Sequence, residues 1–521
     1  MLCSLLKVGL GRSIIFAAQT HQYVNRDQLT QLTTESSTPP GGMTDNYHWK
    51  VFWTVGIALF AMVLDFSIVF LALSSIADEF EVTLRAVTWV AISTSLVTSA
   101  IMLPLGRVAD IMGRKKFHIV GMFFFVAGAL LAFSSQNLEM LIVARVVMAI
   151  GASMGQAVVF AIIVGTFPDK ERGKALGMIT TMVAIGAAAG PIVAGPIIQA
   201  FEWRAVFLVT MIPTTVGIIA AFIVLDDGRI GSVVGRVREK YDLLGAIFSA
   251  AALTLIILTI SNPFAFDWIS FQIIGGFVIS ITLFVLLVWW ELRVESPMLN
   301  LHFFQNSTFA WSTSTRFLGF LGGSAMFFLM PIFVQSFMGY DQRSAGMIMF
   351  VGAVGMGISS QLSGRYSDKY GFRVFTITGV GLLLVMNLLM SFFLNDTPLW
   401  IIMLILFVNG AAMGMWMAPN MSATLSTVGR ADYGSMSAFL NLVRNVGSVI
   451  GQALATAIIA GVMLSRGAEV QLNELADSTD LNVTDAFISG WRLTFWVLSG
   501  FVGLALFASI KTRVYKSEDN N

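Results

Sequence analysis

The chain has 521 residues, of which 56% are hydrophobic and 12% charged, with a net charge of +1 and a single cysteine. A water-soluble chain carries about 25% charged residues, so much of this surface does not face water, the charge balance gives no reason to expect nucleic acid, and Cys3 alone excludes an internal disulfide framework. Four scattered histidines and the lack of a Walker loop, HExxH or GxSxG pattern lead us to expect no metal site, no cofactor and no enzyme activity.

Residues 1–50 come first. Leu2–Phe16 is apolar but broken by Lys7, Gly9, Gly11 and Arg12, too short to cross a bilayer, and Gln28–Gly42 is polar with Pro39 and Pro40. A dispensable, disordered cytoplasmic tail is expected, with Met43 as an alternative start. Fourteen apolar runs of membrane length follow, at 51–77, 87–106, 117–134, 138–166, 173–200, 205–225, 243–260, 271–290, 309–338, 345–363, 374–394, 400–421, 435–464 and 493–510. None alternates polar and apolar residues as a barrel strand would. With the N-terminus inside, the inner loops and C-terminal tail carry nineteen Lys and Arg residues and the outer loops five. The positive-inside bias therefore predicts an even number of spans with both termini cytoplasmic. Trp49, Tyr241 and Trp400 stand near span ends as interfacial anchors.

An internal repeat divides the chain. After the second run the sequence reads GRVADIMGRKK, Gly106 to Lys116; after the tenth it reads GRYSDKYGFR, Gly364 to Arg373. Gly106, Asp110 and Gly113 align with Gly364, Asp368 and Gly371 without a gap. A second echo, WRAVF at Trp203–Phe207, returns as WRLTF at Trp491–Phe495. Runs one to six and nine to fourteen thus form two six-helix halves. The expected domains are a tail over 1–50, an N-terminal half over 51–225, two inserted helices with flanking cytoplasmic loops over 226–308, a C-terminal half over 309–510, and a short tail over 511–521.

Two parallel six-helix halves are similar to the major facilitator superfamily, and the GRVADIMGRKK segment resembles its signature loop at its Gly, Asp, Gly and basic positions. Fourteen helices resemble the drug:proton antiporter branch. The expected fold is all-α and polytopic, two six-helix halves plus two inserted helices. The resemblance implies a cytoplasmic latch built from Gly106, Asp110, Gly113, Arg114, Lys115, Gly364, Asp368 and Gly371. The alternative is a positive-inside loop with no switching role. Gly106 and Gly113 allow tight turns, and a carboxylate such as Asp110 is favoured at a helix N-terminus.

The fifth run, GMITTMVAIGAAAGPIVAG, resembles the branch's exporter motif through Gly177, Gly186, Gly190, Pro191 and Gly195. Gly186 and Gly190 permit close helix packing, and Pro191 removes a backbone hydrogen bond. Ordinary small-residue packing is the competing reading. Inside the spans lie four ionisable groups, Asp65, Arg145, Arg316 and Arg444, and such groups are costly in lipid. Asp65 in VLDFSIVFLAL resembles the family's first-helix Leu-Asp followed by a hydroxyl, here Ser67; Phe70 and Ser74 depart from its usual Asn and Pro. Arg145 resembles the fourth-helix arginine, with Met148 and Ala149 departing from Gln and Gly. Depth counting places Asp65 and Arg145 together in the outer half, as a proton-coupling pair or as a static ion pair. For Arg316 and Arg444, holding the cavity in register, neutralising an acid and attracting an anionic group are all open, and the amides of Asn387, Asn409, Asn420, Asn441, Asn445 and Gln452 are candidate partners for them.

The expected function is a proton-coupled antiporter of the inner membrane, monomeric, exporting hydrophobic small molecules by alternating access. Its partners would be that substrate, protons and the bilayer, with a periplasmic adaptor as a further candidate. The alternatives are a narrow exporter of a metabolite or siderophore, and a non-transporting membrane sensor.

Overall fold

The computed structural model describes residues 46–230, 242–262, 264, 266–294, 301–394, 396–428, 433–467 and 481–512. The expected N-terminal tail up to residue 45 and the end of the C-terminal tail lie outside the described residues, as do parts of the loops around the inserted helices. The described chain is helical throughout, without strands. Its long helices are α1 Tyr47–Phe80, α2 Trp89–Met112, α3 Arg114–Phe133, α4 Leu138–Thr166, α5 Asp169–Phe201, α6 Ala205–Val224, α7 Leu243–Ser261, α8 Phe271–Glu291, α9 Ser307–Phe337, α10 Gln342–Tyr370, α11 Phe372–Met390, α12 Leu399–Leu425, α13 Tyr433–Ser465 and α14 Leu481–Lys511. Thirteen contain a full membrane-length apolar stretch, and α2 contributes a shorter one over Trp89–Met102.

Packing repeats with the sequence. In the first half α1 packs on α5 and α6, α4 on α2 and α3, and α3 on α6; in the second α9 packs on α13 and α14, α12 on α10 and α11, and α11 on α14. The halves meet along two seams, α5 with α10 and α2 with α13, which exchange under the same repeat. Glycines make the intrahalf contacts close. A Cβ at Gly151 would meet the α3 backbone, and one at Gly355 or Gly414 would meet the backbone of α12 or α10. The inserted α7 lies on the second seam. Ile257 packs with Ile92, Val449 and Ala453, and Leu253 with Leu442 and Val446. Asn262 closes the α7–α8 turn with its own side chain, donating to Phe266 O at 2.7 Å and accepting from Phe266 N at 2.9 Å. α8 is mostly exposed, as a helix bathed in lipid would be.

Several helices run past their apolar stretch. The segment expected as a loop between α2 and α3 is instead helical on both sides of one residue, Gly113 (φ 92°); Gly371 (φ 84°) does the same between α10 and α11. Polar side chains at the water-facing ends extend the helices without adding hydropathy, so an apolar window stops too early. Each glycine closes the preceding helix through its N–H, to Ala109 O at 3.1 Å and Ser367 O at 2.9 Å. Two residues on, a basic side chain caps the last helix of its own half: Lys115 Nζ donates to Phe222 O at 3.1 Å and Arg373 Nη2 to Ile510 O at 2.7 Å. A cation at a helix C-terminus is favoured by the macrodipole. Replacing Gly113 or Gly371 by Ala is expected to cost about 1–3 kcal/mol through backbone strain. The space around Gly371 is open, so its loss measures strain alone; thermal unfolding in detergent checks that the two variants lose similar stability.

Candidate functional site

Both halves line one central cavity of about 220 Å³. α1, α2, α4 and α5 contribute from the first half, with Phe125 of α3, and α9, α10, α12 and α13 from the second. Its wall is apolar and adaptable: Phe66, Phe70, Phe320 and Phe327 stand beside Met62, Met148, Met349, Met356, Met413 and Met417. Unbranched thioethers adjust to varied shapes. Polar groups gather on α2, with Thr94, Ser95 and Thr98, and on α13, with Ser448 and Gln452, while Gln156 stands on α4. Of the cluster Met413, Met415, Trp416 and Met417 on α12, Met413 and Met417 reach the cavity. Trp416 instead packs in the second half, edge-on to Phe320 at 5.2 Å, and Met415 accepts from the Thr378 hydroxyl at 3.4 Å.

Asp65 and Arg145 meet at this wall. Arg145 Nη1 donates to Asp65 Oδ2 at 2.7 Å, with both side chains almost wholly buried. Arg145 Nε also donates to Val90 O at 3.3 Å, and its guanidinium lies 5.8 Å from the Phe207 ring centre. The arginine is therefore held from α2 and α6 as well as α1, while Asp65 has a face on the cavity. Charges in such a site need each other: removing one partner of a buried pair costs about 3–5 kcal/mol. A proton arriving at Asp65 would break the same pairing without removing an atom.

The α5 motif sits beside this pair and touches both halves. A Cβ at Gly186 would lie 3.2 Å from Phe60 O and Val63 on α1, and one at Gly190 would collide with the Ser67 side chain. On its other side α5 meets α10. The Pro191 carbonyl lies against Gly346, and a Cβ at Gly195 would sit 2.8 Å from Gln342 O. Pro191 has no N–H, so the carbonyl one turn back, Ala187 O, loses its helical partner. The Ser67 hydroxyl takes that place, donating to Ala187 O at 2.8 Å. Sequence reading noted the hydroxyl two residues after Asp65 and the proline on α5 but did not join them. Spacing within one helix carries no information about which carbonyl another helix satisfies. Ser67→Ala is expected to cost about 0.5–1.5 kcal/mol, the net worth of a hydrogen bond, by leaving a half-buried acceptor bare; adding Pro191→Ala, which restores the helical donor, should recover most of it. A double-mutant cycle by thermal unfolding checks this, and additive losses would refute the link.

At the end away from Tyr47 and Lys511 the halves are fastened together. Gln335 Nε2 donates to Leu71 O at 3.2 Å, Ser336 Oγ to Ser74 Oγ at 3.1 Å, and Gln342 Nε2 to Ser75 Oγ at 3.3 Å. Gln335 and Ser336 reach α1 from a π turn, Phe333–Phe337, that ends α9. Nothing in the sequence marked this turn. Within the first half the same end is tied by Trp203 Nε1 to Glu79 at 2.6 Å and Arg204 to Glu79 at 2.6 Å. The repeated tryptophan, Trp491, donates to Met390 O at 2.8 Å.

The remaining predicted residues divide. Arg444 lines the cavity, and Arg316 is buried on α9 outside that lining. Arg316 Nε donates to Leu440 O at 2.9 Å, and Arg444 reaches Asn445 Oδ1 at 3.3 Å. Of the amides considered as partners, Asn387 and Asn420 donate instead to Gly322 O and Ser312 O. At the other end Arg114 donates to Ala161 O at 3.1 Å, and the backbone N–H of Lys115 donates to Asp227 Oδ1 at 3.0 Å. Asp227, which sequence reading did not single out, thus caps the start of α3. Gly364 has open space where a side chain would stand. Gly106, Asp110, Gly177 and Asp368 fall on their helices, and their surroundings lie outside the described residues.

A family model described as Major Facilitator Superfamily matches residues 55–452. Among similar proteins, the riboflavin transporter RibZ of Clostridioides difficile is 27% identical over 90% of this chain and 99% of its own length. The multidrug resistance protein Stp of Mycobacterium tuberculosis is 25% identical over 78% of this chain and 74% of its own. A crystal structure of a bacterial homologue of the human lysosomal transporter Spinster, inward-facing and unoccupied, superposes with a TM-score of 0.64 at 13% identity, covering 91% of this chain and all of that one.

Proposed function

Because the chain belongs to the Major Facilitator Superfamily and is a multi-pass membrane transporter, we propose that it is a proton-coupled antiporter exporting hydrophobic small molecules across the cytoplasmic membrane, with both termini inside. The observation that carries the reading is the buried Asp65–Arg145 pair on the cavity wall. Substrate would enter the methionine-lined cavity from the cytoplasm while the far end is fastened through Gln335, Ser336 and Gln342. Protonation of Asp65 frees Arg145 and loosens α1 against its neighbours. Ser67, on the same helix, ties that change to α5, and α5 reaches α10 of the other half. The halves would then rock about the cavity. One charge moving through 100 mV supplies about 2.3 kcal/mol. The Gly113 and Gly371 turns, with their basic clamps, would latch the cytoplasmic side.

Purified protein in liposomes holding a pH-sensitive dye, under an imposed proton gradient, tests this with a panel of cationic, neutral and anionic lipophilic compounds. Compound-triggered proton movement is the expected result. Its absence across the panel, with folded protein, would overturn antiport. A second reading, a narrow carrier for one metabolite, is supported by the full-length similarity to RibZ, so riboflavin belongs on the panel; a response to it alone would favour that reading.

A further inference from the structure

The charges facing the cavity do not cancel. Among the described residues its lining holds one carboxylate and one guanidinium, Asp65 and Arg444. They are not each other's partners. Asp65 is already neutralised by Arg145, and among the described residues Arg444 has no carboxylate; its contacts are to the amide oxygen of Asn445, at 3.3 and 3.4 Å. A second cation stands on α9. Arg316 donates through Nε to Leu440 O, one helical turn before Arg444, and its Nη1 is buried without a hydrogen-bond partner. Arg316 has the Phe320 ring 5.4 Å from its guanidinium, but two arginines with no carboxylate between them among the described residues still cost free energy in a low-dielectric setting. An incoming anion would offset that cost and satisfy the free donors.

We propose that Arg444, reinforced by Arg316, is the recognition site for the negatively charged group of an amphipathic organic anion whose apolar body lies against the phenylalanines and methionines of the cavity. The proposal rests on the reading of the cavity as the substrate site and narrows its substrate class. A guanidinium suits this role because its planar fork meets a carboxylate or phosphate with two parallel hydrogen bonds. Asn445, Ser448 and Gln452, on the same helix and the same wall, are placed to share the anion's remaining acceptors. Arg145 is committed to Asp65 and serves a different purpose.

The test is equilibrium binding to the full chain in lipid nanodiscs, without any gradient. The probes are matched naphthyl and pyrenyl compounds carrying a carboxylate, a phosphate monoester, a neutral carboxamide or a trimethylammonium group. The anions should bind at least about tenfold more tightly than the amide, the worth of one charge-assisted hydrogen bond, with the cation weakest. Arg444→Gln should erase that preference, with an unchanged thermal unfolding curve reporting an intact fold; Arg444→Lys should keep part of it. Equal or weaker binding of the anions, no binding of any anion, or a preference that survives Arg444→Gln would overturn the assignment. The antiport reading fails separately. Anion binding with no proton movement in liposomes refutes antiport alone, whereas proton movement driven only by amides or cations refutes the anion site alone.

Discussion

Asp65→Asn in liposomes is expected to lose substrate-triggered proton movement, to less than about a hundredth of the unmodified rate, the scale of effect when a proton-transferring group is removed. The substitution keeps shape and an acceptor oxygen but leaves Arg145 as a buried, uncompensated charge. Some stability is therefore lost as well, up to the 3–5 kcal/mol of a broken buried pair, and a dead transporter could be a misfolded one. The double variant Asp65→Asn with Arg145→Gln removes both charges and separates the cases. If the pair only fixes α1 against α4, the double variant should transport. If Asp65 carries the proton, it should fold about as well as the unmodified chain and remain uncoupled. Coupled flux in the double variant would sink the proposed role of Asp65.

The second large effect concerns the seam. Gly195 lets α5 approach α10 until a Cβ would sit 2.8 Å from Gln342 O and 3.0 Å from Arg343 Cα. Backbone cannot swing aside as a side chain can, so Gly195→Leu must hold the far ends apart. Overpacking costs about 1–3 kcal/mol, and each 1.4 kcal/mol shifts a two-state balance about tenfold. The variant should therefore populate the form open at the far end and turn over at least about tenfold more slowly. Spin labels at Phe201 and Asp341 should report a longer separation than in the unmodified chain. An unchanged separation with normal turnover would show that this contact does not gate the cycle.

Much of this was legible in the sequence. The fourteen helices follow from hydropathy, because lipid demands apolar runs of set length. The repeat followed from Gly106 to Gly371 motif alignment, and packing reproduces it helix by helix, down to Lys115 and Arg373 capping equivalent carbonyls. Asp65 and Arg145 could be paired because depth along a straight helix is countable and few charges compete. What depends on rotation between helices was not legible. Ser67 finding the carbonyl that Pro191 releases needs the α1–α5 register. The π turn at Phe333–Phe337 is a backbone adjustment with no residue signature of its own. Of the amides considered for the two arginines, Asn445 meets Arg444, while Asn387 and Asn420 donate to main-chain oxygens and Arg316 Nε finds another, and no residue type announces a main-chain acceptor.

The inserted helices make the two seams unequal. The repeat relates α5–α10 to α2–α13, yet α7 packs along the second through Leu253, Ile256 and Ile257, and its partner α8 lies outermost. If the halves rock as proposed, parting α5 from α10 would work against the surrounding acyl chains. Parting α2 from α13 would work instead against a hairpin that must ride with one side or slide over both. The rocking axis would then be biased toward one flank, and the resistance to opening would vary with membrane composition on one flank more than on the other.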